Sequence, residues 1–397
     1  MIRLAQVRPI GLALLLGGCV STSGGPDVSL LSPPAPAAPV LVETGQFETF
    51  GPAQFEAPVA ATWDPIVHSP WTYEPTLSAR VQAWVDIFVE RDGAGFALWL
   101  ARMERYRTYV DSVVQAQGLP ASLRYLPIIE SGYQPTAISS AAAVGLWQFV
   151  APTAREQGLT VTPLIDERRD PVRSTSSALE LLGAFRQQFG SWFLALAAYN
   201  GGPNRVERLL REHAPLAPRS DSLFFVIAPH LPRETREYIP RFLAAVHVAE
   251  HAARFGLAVP EAPAEYRYDE VVVPDATTLD VVALAAGASE DEVRQLNPHI
   301  VRGITPRGRV TQVRVPEGSG PSFAEAYDKI PPEERITATE HVVASGETLS
   351  HIARQYGVRV ADLEGANPQV EPRRMRVGTR LLVPLVPRAM AQRSRRQ

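Results

Sequence analysis

The chain has 397 residues, 45% hydrophobic and 20% charged, which is enough for two or three domains and too many for a minimal disulfide-stapled module. Its formal charge of -3 offers no bulk attraction to nucleic acid, and its single cysteine excludes both an intramolecular disulfide framework and a four-thiolate zinc site. Proline is frequent, at 36 residues, and much of it falls in short stretches that read as linkers.

Residues 1–19, MIRLAQVRPIGLALLLGGC, place Arg3 and Arg8 ahead of an apolar run from Ile10 to Leu16, followed by small residues. This is a secretory-signal pattern: the positive end stays behind while the apolar stretch enters the membrane, and the run is too short to span it. Leu16-Gly17-Gly18-Cys19 resembles a bacterial lipoprotein box. The resemblance implies cleavage before Cys19, lipidation of its thiol and a membrane tether. Val20, rather than Asp, resembles lipoproteins passed to the outer membrane, which puts the expected site at its periplasmic face. An ordinary signal peptide that happens to end near a cysteine is the competing reading. Residues 20–75 are rich in Pro, Ala and Ser and read as a spacer.

From 76 to 258 the apolar spacing is helical, as in Val81, Trp84, Val85, Phe88 and Val89. Helices are expected at about 77–90, 96–117, 121–130, 144–157, 174–188, 191–199, 202–212 and 235–254, with Gly118-Leu119-Pro120 ending the second. Strand patterns begin only after 266, in VVVP, TQVRVP, HVVASG and RLLVP. A spacing of 70 residues pairs Val273/Val343, Thr278/Thr348, Leu279/Leu349, Ala283/Ala353, Gly287/Gly357, Asn297/Asn367 and Pro298/Pro368, which indicates a tandem repeat. Each unit reads as strand, helix, helix, strand. The expected architecture is therefore α+β. An all-helical domain (76–258, core motifs at 119–243) precedes two βααβ modules at 268–317 and 341–384, with a linker at 318–340 and a basic tail at 385–397.

Glu130 follows Leu126, Pro127, Ile128 and Ile129, an apolar run that excludes water and raises a carboxyl pKa, so that a proton stays available at neutral pH. The alternative for Glu130 is a hydrogen-bonded helix end ahead of Ser131-Gly132. His247 and His251 share a helix face but lack the intervening Glu of an HExxH site, and no glycine-rich phosphate loop is present, so neither metal nor cofactor is expected.

Residues 341–384 closely resemble a LysM domain through GETL, Ile352-Ala353, Tyr356-Gly357-Val358 and Asn367-Pro368. The resemblance implies binding of N-acetylglucosamine-containing glycans by Ser345, Gly346, Glu347, Thr348 and Leu349, facing Asn367, Pro368 and Gln369. The unit at 268–317 resembles a degenerate copy, with Asp275-Ala276 in place of Ser345-Gly346.

The helical half resembles the goose-type, or soluble lytic transglycosylase, domain. Its motifs are LPIIESGYQPTAIS (126–139), VGLWQF (144–149), IDERRD (165–170), ALAAYNGG (195–202) and LPRETREYIPRFL (231–243). The layout as a whole resembles the membrane-bound lytic murein transglycosylase D group, from which it departs at Ala151-Pro152, where the proline comes one position late. The resemblance implies a lysozyme-like fold and cleavage of the N-acetylmuramic acid–N-acetylglucosamine β-1,4 bond of peptidoglycan. The product is a 1,6-anhydro sugar, and Glu130 acts first as acid and then as base. It further implies substrate contacts for Ser131, Gln148, Tyr199, Asn200 and Tyr238. On the residues alone, Ser131 caps a turn, Asn200 caps a helix, Tyr238 packs in the core, and Trp147 is either sugar platform or core. Arg168, Arg169 and Asp170 read as structural ion pairs. Expected partners are peptidoglycan strands, the membrane through lipidated Cys19 and an unidentified cell-wall protein, and not nucleic acid. A hydrolytic muramidase and a non-catalytic wall-binding scaffold are the competing functions.

Overall fold

The computed structural model describes residues 64–385 except 275, 307, 332, 333, 336, 368 and 369. Cys19, residues 20–63 of the expected spacer, the 386–397 part of the tail and Pro368 therefore lie outside the described residues; residues 64–75, read as the end of the spacer, instead pack on the helical domain, with Ile66 buried in its core and Asp64 accepting the Ser122 N–H at 2.7 Å. Among the described residues no helix is long and apolar enough to cross a membrane.

The first domain is helical: α1 Pro75–Asp86, α2 Gly93–Ala116, α3 Leu126–Ser131, α4 Ala151–Glu156, α5 Pro171–Phe189, α6 Trp192–Gly201, α7 Pro203–His213, α8 Ser222–Ile227 and α9 Arg233–Glu250. A single π turn, Ile87–Arg91, joins α1 to α2. α6 is apolar on every side from Trp192 to Ala198 and fully buried, as expected of the central helix of a bundle, and α5 and α9 pack on it. Ser191 starts α6 by accepting the Leu194 N–H at 3.1 Å, and Asp170 starts α5 by accepting those of Val172 and Arg173.

The helix expected at 144–157 is confined to α4. Gly145 (φ +89°) and Gln148 (φ +51°) hold residues 144–149 in a tight loop, which is bridged at Ile138–Val144 and Val144–Phe149. A Cβ on Gly145 would collide with the Arg168 carbonyl, so only glycine lets this loop lie against the IDERRD segment. Helix α8 was not anticipated.

Two small modules follow. The first holds β1 Tyr268–Val273, α10 Leu279–Ala286, α11 Glu290–Leu296 and β2 Thr311–Pro316, with β1 and β2 antiparallel from Tyr268↔Pro316 to Val273↔Thr311. Residues 318–340, expected as a linker, contain α12, Gly320–Asp328, whose Phe323 and Tyr327 complete the core of this module. The second module has β3 Ala338–Val342, α13 Leu349–Tyr356, α14 Val360–Gly365 and β4 Arg380–Pro384, with β3 and β4 antiparallel. The repeat is visible in hydrogen bonds. Asn297 Nδ2 donates to Val293 O and Arg314 O while its Oδ1 accepts the Arg314 N–H, and Asn367 makes the same three bonds to Leu363 and Leu382.

The IDERRD segment docks the first module on the helical domain. Ile165 enters the module's core and bridges Ile300, Asp166 N donates to His299 O at 2.9 Å, and Val301 N donates to Leu164 O at 2.9 Å. Beside this contact Arg314 makes a two-pronged bond to Asp170, at 2.9 and 3.0 Å, with both residues buried. Burial pushes the Asp170 carboxyl upward, but Arg314, His299 and the α5 N–H groups outweigh it and hold the carboxyl below its usual range.

Candidate active site

The short helix α3 presents Glu130. Pro127 occupies its first turn, Leu126, Ile128 and Ile129 are buried, and Gly132 ends it in the left-handed region at φ +58°. Trp99 closes over Gly132, lying 2.5 Å from where a Cβ would stand. The helix therefore cannot continue, and Glu130 is left at its end.

Glu130 lines a cleft of about 1010 Å³ together with Gln148, Tyr199, Asn200, Tyr238 and Arg241. The residue is only partly exposed, yet its carboxyl is surrounded by protein on every side but the cleft. That burial raises its pKa from 4.5 to about 7. The hydrogen bond from Tyr238 and the charge of Arg241 pull it down, and Glu234 pushes it up. The Tyr238 hydroxyl donates to Glu130 Oε1. Burial and the Glu130 charge lift both the Tyr238 and Tyr199 phenols well above 10, so both remain protonated donors. Tyr199 donates to Trp147 O at 2.8 Å, which fixes the loop that carries Gln148.

Gln148 holds its left-handed backbone with Nε2 donating to Gly145 O at 2.9 Å. A non-glycine residue in that conformation is costly, and such strain clusters at functional sites. Asn200 reaches Glu234 at 3.5 Å on the rim. Trp147 is fully buried, its indole N–H donating to Thr175 at 2.9 Å, so it belongs to the core and is not a sugar platform. The Ser131 hydroxyl donates to Leu146 O at 2.9 Å, and Ser131 is not among the residues that line the cleft.

In the second module Gly346 and Thr348 are exposed, and Glu347 is partly so. Glu347 accepts from His341 and from the Ala344 N–H, and Thr348 caps α13. Leu349 and Asn367 are buried and serve the module's own core and strand. In the first module the corresponding loop, 297–301, is taken up by its pairing with the IDERRD segment.

Sequence reasoning missed Arg241 and Glu234. Arg241 stacks 5.5 Å over Trp84 and presents a buried Nε with no hydrogen-bond partner among the described residues. Its burial lowers its pKa. The available signal was periodicity: Glu234, Tyr238 and Arg241 stand at i, i+4 and i+7 on one face of α9. Glu237, which also lines the cleft, pairs with Arg80 at 2.7 Å and accepts the Trp84 N–H at 3.0 Å.

Three family models match the chain: Transglycosylase SLT domain at 112–220, the LysM-like domain of lytic transglycosylase MltD at 267–332, and LysM domain at 341–384. The second match includes α12. Membrane-bound lytic murein transglycosylase D of Escherichia coli strain K12 is 32% identical over 278 residues, covering 67% of this chain and 60% of that protein, and the protein of strain CFT073 gives the same values. The chain thus spans about 60% of the length of these relatives. The solved 70 kDa soluble lytic transglycosylase SLT70 of Escherichia coli matches at 24% identity over 41% of this chain and 27% of its own, with a TM-score of 0.32. In domain content, domain order and sequence, the chain is similar to the MltD-like lytic transglycosylases: it carries an SLT domain followed by C-terminal LysM-type modules.

Proposed function

We propose that the chain is a peptidoglycan lytic transglycosylase with a goose-type, lysozyme-like catalytic domain. The observation that carries this reading is a glutamate with a pKa near 7 at the wall of a large cleft, bonded by the buried Tyr238 and close to Tyr199. Half-protonated at neutral pH, Glu130 serves both halves of the reaction. Its proton passes to the glycosidic oxygen as the bond from C1 of N-acetylmuramic acid breaks and the 2-acetamido oxygen bonds to C1. The carboxylate then takes the proton of the same sugar's 6-hydroxyl as O6 bonds to C1 and the acetamido oxygen leaves. The 1,6-anhydro ring closes without water, and Glu130 ends protonated. Because the attacking hydroxyl belongs to the same sugar, positioning replaces an activated water. Gln148 and Asn200 supply amide groups to the N-acetyl substituents. Tyr238 keeps the carboxyl oriented, and Arg241 stabilises it once ionised.

One observation favours a hydrolytic muramidase as a second reading: Glu234 is an additional carboxylate on the cleft wall. It is exposed and bonded to Asn200, which suits a rim contact better than a base for water. Glu234→Gln is expected to retain most activity and to give the same products as the unaltered protein. Loss of turnover on purified peptidoglycan, measured by muropeptide chromatography, would move the assignment to the two-carboxylate mechanism.

In this reading the second LysM module retains the protein on peptidoglycan through its exposed 345–348 turn, and the first serves as a docked spacer. Lipidated Cys19 tethers the enzyme at the periplasmic face of the outer membrane.

A further inference from the structure

A second crevice, of about 520 Å³, lies where the first module meets the helical domain. Arg102 and Arg105 of α2, Arg169 of the IDERRD segment and Arg294 of α11 line it, together with Asp291. Arg294 is neutralised by Glu290. The other three arginines have no carboxylate within hydrogen-bonding distance among the described residues. Arg105 donates to Ala264 O at 2.7 Å and lies over Tyr266, while Arg102 reaches Gly132 O only at 3.4 Å. Arg169 Nε is buried without a partner, and its nearest carboxylate oxygen, on Asp166, is 4.0 Å away. Asp166 is already engaged by Arg168 through two bonds of 2.8 Å. The crevice thus concentrates guanidinium groups, three of them without a carboxylate within hydrogen-bonding distance among the described residues, beside buried Tyr106 and Tyr133, with the exposed carboxylate of Asp291 in its lining. Clustered guanidinium forks in a concave site match carboxylates, and Asp291 matches an amine.

Its place in the fold connects it to the cleft. The loop that leaves Glu130 runs directly into it, Tyr133 to Thr136 forming one wall. Gln134 lies four residue steps beyond Glu130, a distance of at most about 14 Å at ~3.6 Å per residue, and an extended peptide of roughly four residues covers the same span.

We propose that this crevice is a second substrate-recognition site, one that takes the carboxylate- and amine-bearing peptide branches of peptidoglycan while the cleft holds the sugars. The proposal rests on the function given above and makes the docked first module part of the substrate site. The enzyme then reads strand and branch together, and favours glycan that still carries its peptides.

The test uses the full chain, its Arg102→Gln/Arg105→Gln variant and the charge-keeping Arg102→Lys/Arg105→Lys variant. Turnover is compared on peptide-bearing strands and on the same strands stripped by an amidase, and the free branch peptide and inorganic phosphate are titrated calorimetrically. The Gln pair is expected to lose at least about tenfold in kcat/KM on peptide-bearing strands and in affinity for the free peptide, with stripped strands unaffected. The Lys pair is expected to keep most of both. Equal loss on both strands, equal peptide binding by the unaltered and Gln-pair proteins, a Lys pair as impaired as the Gln pair, or phosphate binding as tight as peptide binding would each overturn the proposal. A chain that cleaves neither kind of strand contradicts the function instead, and the peptide titration then tests the crevice by itself.

Discussion

Glu130 is about half protonated at neutral pH because burial raises its carboxyl to about 7 against the pull of Tyr238 and Arg241. This placement has a cost in stability. With the folded pKa raised from 4.5 to about 7, the folded chain binds more protons than the unfolded one across that window, so stability falls as pH rises through it. Glu130→Gln is therefore expected to lower turnover by roughly 10²- to 10⁴-fold while raising the melting temperature at pH 8 more than at pH 5, as thermal unfolding at the two values will show. Tyr238 acts in the opposite direction on the same proton, since its hydrogen bond favours the carboxylate. Tyr238→Phe should move the limb of the pH–rate profile set by Glu130 to higher pH; an unmoved limb would mean that Tyr238 only fills space. Glu130 stood out in the residues because it follows the apolar run 126–129, whereas Gln148, Tyr199 and Tyr238 were reached only through the motifs of the family resemblance. Ser131, Trp147 and Asn367 were less legible, since a side chain's direction depends on partners far along the chain: Leu146 for Ser131, Thr175 for Trp147 and Leu382 for Asn367. Arg241 was passed over because a cation on a helix reads as a solvated face until the fold buries it against Trp84.

The elements that carry the site are short and are held by backbone geometry. Periodicity found the long helices α2, α5 and α9 within a few residues, because each buries a regular stripe. It read 144–157 as one helix because the apolar spacing of Val144 and Trp147 fits one, whereas the backbone follows Gly145 and Gln148 into the left-handed region. Gly145→Ala tests how far the site depends on this loop. The added methyl meets the Arg168 carbonyl at a φ that L residues rarely adopt, so a loss of more than about 2 kcal/mol is expected in denaturant unfolding. The segment read as a linker contains α12 because Phe323 and Tyr327, set one helical turn apart, find the apolar face of α10. Its Pro- and Gly-bearing start disguised it.

At the scale of the molecule, the first repeat has become a docking element. The alternation of charges in IDERRD reads as local ion pairing, and Arg168 does pair with Asp166, but Asp170 is held by Arg314, 144 residues away. No sequence spacing announces such a pair. Asp170→Asn keeps a good helix cap for α5 and leaves the buried Arg314 with the longer contact to Glu270, at 3.6 Å, so it should cost about 3 kcal/mol. Adding Arg314→Met should recover much of that loss, and thermal melts of the single and double variants decide it. The second module is held against the first through Arg302 Nη1 to Arg380 O at 2.8 Å and, just ahead of β3, through Thr278 to Thr337 at 2.7 Å. The most direct test of the whole reading is mass spectrometry of purified peptidoglycan digested with the protein. Muropeptides ending in 1,6-anhydro-N-acetylmuramic acid, one water lighter than hydrolytic products and absent with Glu130→Gln, are the predicted result; reducing-end products, or anhydro products that persist in that variant, would contradict it.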